Sequence, residues 1–254
     1  MLHHKTFGSG PHLVICHGLF GMLDNWQTLA RRWAEHYTVT LVDLRNHGRS
    51  LHSEAMDYEL LATDVATFCE EQNIHRCYLM GHSMGGKVAM QTALTYPDLV
   101  ERLIVVDMSP RQYRRGHDDV FAALNAVDPA TLSDRKEAAA RMSEHVAHPA
   151  VQLFLLKNLA RDPAGGYRWR MNLPAIEAAY ETLIGPVGLP GDEFTGPALF
   201  VRGSKSGYVQ DDDLPLIEVL FPRAQLMTIQ DAGHWVHAEA PEAMYAAVVA
   251  FLEA

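Results

Sequence analysis

The sequence is short of three things. Among 254 residues there are three cysteines, Cys16, Cys69 and Cys77, and no two stand at the C-x-x-C spacing of a zinc or redox site. An odd, scattered set of this kind argues against a disulfide framework and a thiolate metal centre, so a reducing, cytoplasmic location is expected. Positive charge is scarce: 21 Lys and Arg stand against 31 Asp and Glu, a formal net charge of −10. That balance argues against a basic face for nucleic acid or anionic lipid. Long apolar runs are absent too. None approaches the ~18 residues of a membrane-spanning helix. The opening stretch MLHHKTFGSGPHLVICHG also lacks the basic start and apolar core of a secretory leader.

What is present is a rhythm of short apolar runs: HLVICHG (12–18), TVTLVDL (38–44), CYLMGHS (77–83), RLIVVDM (102–108), PALFVRG (197–203) and AQLMTIQDAG (224–233). Most are continuously apolar rather than alternating, as in strands covered on both faces, which predicts a parallel sheet. Helical patterns lie between them: in NWQTLARRWAEH, in YELLATDVATFCEEQ, over 84–96 before Pro97, and from Pro241 onward. The expected class is α/β, a mostly parallel central sheet flanked by helices. From about residue 111 to 192 no buried strand is evident, and helical patterns take over in HDDVFAALNAV, SDRKEAAARMSEHVA, AVQLFLLKNLA and LPAIEAAYETLI. This predicts a core of residues 1–110 and 193–254 with a helical insertion over 111–192.

The third run leads straight into GHSMGG. Gly81-x-Ser83-x-Gly85 between a strand and a helix specifies a tight turn that lifts the serine oxygen above the carboxyl edge of the sheet. Ser83 is the candidate nucleophile. Its base must reach the same edge. Of 14 histidines, His234 follows Gly233 in the loop after the last apolar run. It is preferred over His237, one turn further on, and over His82, which should point away from Ser83. A negative oxygen on the substrate needs two N–H donors. The turn after HLVIC and the first helical residue after Ser83 assign these to Leu19 and Met84. His17 and Cys16 read as packing residues, and Lys87 as helix surface or a salt-bridge partner.

Together HGLFGMLDNW, VDLRNHGRS, GHSMGGKVAM, DVFAALNAV, FLLKNL and GHWVHAEAPE resemble the α/β-hydrolase superfamily. Within it they resemble the small bacterial esterases of the YbfF type and their mitochondrial abhydrolase-domain relatives. The likeness covers nearly the whole chain. It implies an α/β-hydrolase fold with a helical cap over the site, and no cofactor or metal. It also implies hydrolysis of carboxylic esters or acyl thioesters, acyl-CoA included. The expected partner is then a small ester or thioester molecule, and the expected state a monomer or homodimer. DPAGGYRWRMN and LIGPVGLPGDE depart from the relatives' pattern, so substrate preference is not carried over.

The superfamily's usual place for the acid, about three residues past Gly203, holds Ser206. Asp107, at the end of RLIVVD, is the expected substitute, because its strand should lie beside that of Ser83 and the YbfF-type relatives keep this earlier aspartate. Asp211, Asp212 and Asp213 are the rivals, although they read more naturally as an acidic helix start. Asp43 should lie on the far side of the first apolar run, and Asp231 is too close to His234 to curl back. The insertion is expected to supply an acyl pocket, with Phe121 and Phe154 as substrate contacts. Phe20, Tyr208 and Trp235 flank the catalytic loops as further contacts. Arg111, Arg114 and Arg115 form a basic cluster suited to acyl-CoA phosphates, against the plainer reading of salt bridges at a helix start. Two other functions use the same residues: a ligand-binding or signalling protein of this fold with little turnover, and a carbon–carbon bond hydrolase or perhydrolase.

Overall fold

A computed structural model describes residues 1–254. Its strands are β1 (His4–Phe7), β2 (His12–Cys16), β3 (Thr38–Val42), β4 (Cys77–His82), β5 (Val100–Val106), β6 (Leu159–Arg161), β7 (Tyr167–Trp169), β8 (Ala198–Gly203) and β9 (Ala224–Ile229). The helices before β6 are α1 (Gln27–Trp33), α2 (Tyr58–Glu71), α3 (Met84–Thr95), α4 (Asp118–Asn125), α5 (Arg135–Ser143) and α6 (Pro149–Leu156). Those after β7 are α7 (Leu173–Ala178), α8 (Tyr180–Leu183), α9 (Leu214–Leu220), α10 (Val236–Glu239) and α11 (Pro241–Glu253). No helix is long and apolar enough to cross a membrane.

Seven strands form one sheet in the order β1-β3-β2-β4-β5-β8-β9. Every neighbouring pair is parallel except β1 with β3. A parallel sheet must be covered on both faces, and the alternation of side chains does this. Leu13 and Ile15 of β2 pack with Trp26, Trp33 and, from α11, Met244 and Val248. Val14 and Cys16 face the other way, onto a core with Val65 and Phe68 of α2 and Val88 of α3. The six apolar runs are six of these strands. β1 is the seventh; its four residues HKTF are half-exposed at the sheet edge, so no apolar run announces it.

The chain between β5 and β8 is mainly helical, α4 to α8. It also holds the antiparallel hairpin β6/β7, which the helical reading of this stretch does not foresee. Three residues per strand are too few to establish a period of two. Phe121, Leu155 and Tyr180 from this segment share the core cluster of α2 and α3.

The strand order reverses at β2: β3 and β1 lie to one side, β4 and its successors to the other. In open α/β sheets such a switch opens a crevice at the carboxyl ends of the strands. The turns after β2 and β4 and the loop after β9 meet there.

Candidate active site

Ser83 joins β4 to α3 with φ 54° and ψ −123°. A non-glycine residue held in this region costs roughly 1–3 kcal/mol, which the surrounding packing must offset. The flanking glycines are required by proximity. A Cβ on Gly81 would stand 1.9 Å from the Gly85 carbonyl oxygen, and one on Gly85 would stand 2.4 Å from the carbonyl oxygens of Cys16 and His17.

His234, in the loop between β9 and α10, places Nε2 2.9 Å from Ser83 Oγ and Nδ1 2.7 Å from Asp107 Oδ2. Asp107 directly follows β5, is fully buried and sits at φ 51°. Its Oδ1 accepts the Gly203 N–H at 3.1 Å and its Oδ2 accepts the Ser206 hydroxyl at 2.5 Å. A carboxylate facing Nδ1 favours the tautomer with its proton there, which leaves the Nε2 lone pair toward Ser83. The Tyr208 ring stacks on the imidazole at 3.9 Å, and the Tyr208 N–H donates to Ser206 Oγ at 3.2 Å. His82 Nε2 donates to the His234 carbonyl oxygen at 2.8 Å. Burial, then the nearby His234 and His237, hold the His82 pKa well below the usual imidazole range.

None of the rival acids bonds His234, and all but Asp212 are engaged elsewhere. Asp211 pairs with Arg202 and Asp213 with Arg111. Asp43 accepts the N–H groups of Leu23 and Arg49, and Asp231 pairs with Lys205. His237 stacks on Trp26 at 4.3 Å and makes no bond to Ser83.

The N–H groups of Leu19 and Met84 find no acceptor within the protein. Met84 is the first residue of α3, where no intrahelical acceptor exists. Two buried histidines anchor the turn that carries Leu19. His17 accepts the Leu44 N–H on Nε2 at 3.0 Å and donates from Nδ1 to the Gly18 carbonyl at 2.8 Å. His47 accepts the Phe20 N–H on Nε2 at 3.2 Å and donates from Nδ1 to the Arg45 carbonyl at 2.9 Å. Asn158 donates to the Phe20 carbonyl at 2.7 Å. Burial pulls the His17 pKa down to about 4 and that of His47 to about 3, so both stay neutral acceptors. The RNHG stretch that carries His47 is visible in the sequence; its bond to a turn 27 residues earlier is not.

Two cavities, of about 390 and 440 Å³, meet at Ser83, which borders both together with Leu19 and His117. The first is lined by Tyr208, Met84 and the basic side chains Lys87, Arg111 and Arg114. The second is lined by His234, Phe20, Trp26, Phe154 and Trp235. Phe121, expected at the substrate, borders neither. It lies behind Phe20 and Tyr180, edge-on to both rings at 5.4 and 4.9 Å, because the inward face of α4 packs into the core. Arg115 is also outside the cavities, paired with Asp118 and Glu181.

Lys87 departs most from its sequence reading. It is 1% exposed and pairs with no carboxylate. Its ammonium donates to the carbonyl oxygens of Arg111 (2.8 Å), Ile184 (3.5 Å) and Gly185. Burial, with repulsion from Arg111, lowers its pKa to about 7. Nearly the whole first turn of α3 is buried, and residue type alone misplaces a lysine there.

No group of three or more His, Cys, Asp or Glu side chains is arranged to hold a metal ion. Residues 11–241 match the family model described as the alpha/beta hydrolase fold. The chain is 37% identical over 241 residues to the esterase YbfF of Escherichia coli, covering 94% of this chain and 92% of that protein. It is 38% identical to the sn-1-specific diacylglycerol lipase ABHD11 of Danio rerio, over 97% of this chain and 80% of that one. Among solved structures, a marine microorganism esterase superposes with a TM-score of 0.96 at 38% identity, over 98% of each chain.

Proposed function

The chain belongs to the α/β-hydrolase fold family, and from that premise we propose that it is a serine esterase acting on carboxylic esters or acyl thioesters through an acyl-enzyme. Its esterase and lipase relatives support hydrolysis of esters. The observation that carries the finer reading is the unbroken line from Asp107 Oδ2 through His234 to Ser83 Oγ, with steps of 2.7 and 2.9 Å. In this reading His234 Nε2 takes the hydroxyl proton as Ser83 Oγ adds to the acyl carbon. The negative oxygen that forms accepts from the N–H groups of Leu19 and Met84, which have no other acceptor. The proton then passes from Nε2 to the departing alcohol or thiol. Water, activated by the same nitrogen, releases the acid and frees Ser83. Asp107 stays ionised and steadies the imidazolium. Residues 111–192 act as the cap, since they supply Phe154 to one cavity and Arg114 to the other.

A fluorophosphonate probe together with a rapid-mixing assay on a nitrophenyl ester tests this. The expected result is stoichiometric labelling of Ser83, an initial burst of nitrophenol, and loss of both in Ser83→Ala. A chain that neither takes the label nor shows a burst would instead be a binding protein of this fold.

A further inference from the structure

We infer that the two cavities at Ser83 receive opposite halves of the substrate, and that the acyl half carries a carboxylate whereas the alcohol half is apolar. The inference rests on the serine esterase reading and adds the substrate class. Four groups surround the carbon that Ser83 attacks. One is Ser83 Oγ itself. The negative oxygen turns to Leu19 and Met84. The leaving oxygen must face His234 Nε2, which protonates it as its bond to carbon breaks; the acyl chain takes the remaining direction.

His234 borders only the cavity lined by Phe20, Trp26, Phe154 and Trp235. That cavity is therefore the alcohol side; its aromatic walls suit an apolar leaving group, and the exposed Lys157 at its border is its one Lys or Arg, against three in the other cavity. The other cavity is bordered by Met84 and not by His234, and so takes the acyl group. Its lining includes Lys87, Arg111 and Arg114 and no Asp or Glu, in a chain whose net charge is −10.

The three cations are not equally free. Arg111 is paired with Asp213 at 2.8 Å. Arg114 is exposed and has no hydrogen bond or ion pair with the protein, so its planar fork is free for an oxygen pair. Lys87 is buried, with its N–H groups on carbonyl oxygens and no anion beside it. A buried ammonium held only by carbonyl oxygens still lacks a counter-charge, which is costly. A carboxylate on the acyl chain would sit in the field of Lys87 and accept from Arg114. The geometry also turns coenzyme A phosphates, which belong to a leaving group, away from Arg111 and Arg114.

The test uses the full chain and three benzyl-type esters: monobenzyl glutarate, the same ester with an isopropyl group in place of the carboxylate, and that neutral ester with a carboxylate moved onto the benzyl ring. The wild type should hydrolyse the half-ester with kcat/KM at least about tenfold above the neutral ester, and the ring-substituted ester slowest. In Arg114→Gln, whose side chain is exposed, the ratio of half-ester to neutral ester should fall by about ten- to a hundredfold, the range of a charge-assisted bond. A wild type that prefers the neutral ester, or an Arg114→Gln ratio equal to the wild type's, overturns the assignment while leaving an esterase. Absence of turnover on all three, with no fluorophosphonate labelling of Ser83, overturns the esterase reading itself.

Discussion

The carboxyl edge of the sheet and the helical segment above it are built on different terms. At the edge Asp107 and His234 are each held more than once. Asp107 meets three donors, and His234 is bonded through both ring nitrogens and its own carbonyl. The turn bearing Leu19 is fastened on both sides by neutral histidines. The segment over 111–192 is looser. Its helices are short, α7 and α8 spanning six and four residues, and Leu153 and Leu189 are 66% and 67% exposed. Groups at strand ends are aligned by register, whereas residues 111–192 border both cavities from short elements that are freer to vary.

Four perturbations test this contrast. Asp107→Asn should have the largest effect: with an amide facing Nδ1 the wrong tautomer is favoured, and kcat should fall by about 10⁴, as in other enzymes of this design. Near-wild-type turnover in a steady-state assay would remove Asp107 from the site. Acid comes next. Burial holds His17, His47, His82 and His237 neutral, with pKa values of about 4 for His17 and about 3 for His47 and His237. In the unfolded chain they titrate near their ordinary ~6.5. The unfolded state thus binds more protons, and stability is full above pH ~6.5 and lost as pH falls toward the folded values. The unfolding free energy from urea titrations should drop steadily from pH 7 to pH 5, by on the order of several kcal/mol. A flat profile would mean the edge does not depend on neutral histidines.

Ser206→Ala should be milder. It removes one donor from Asp107 and leaves the other two, so kcat/KM should fall by about ten- to a hundredfold with folding preserved. The smallest effect belongs to the segment. Arg115 is exposed with both its partners, and Arg115→Ala should leave the urea midpoint and the ester rate unchanged within error. A clear loss there would show that the outer layer is as tightly determined as the edge.

Much of the edge was legible in the sequence because strand ends speak through local pattern. GHSMGG between an apolar run and a helix places Ser83, and the next run ends at Asp107, on the neighbouring strand as its position requires. Three things were not legible. β1 and the β6/β7 hairpin are too short to show a period. Lys87 reads as surface because charge ordinarily means surface, and only the tertiary fold gathers carbonyl oxygens around it. Ser206 stands where an aspartate is usual; its bond to Asp107 joins residues 99 positions apart, and no local pattern carries that.

One consequence follows from Asp107 lying at the end of β5. Ser83 and Asp107, the proposed nucleophile and acid, are both encoded before residue 111, whereas His234, the proposed base, stands near the other end, beyond β9. A chain emerging from the ribosome therefore carries an unactivated hydroxyl through most of its synthesis. In the proposed mechanism activation of Ser83 waits for His234, and so for the segment after β9, the last strand in the chain, to be made and docked.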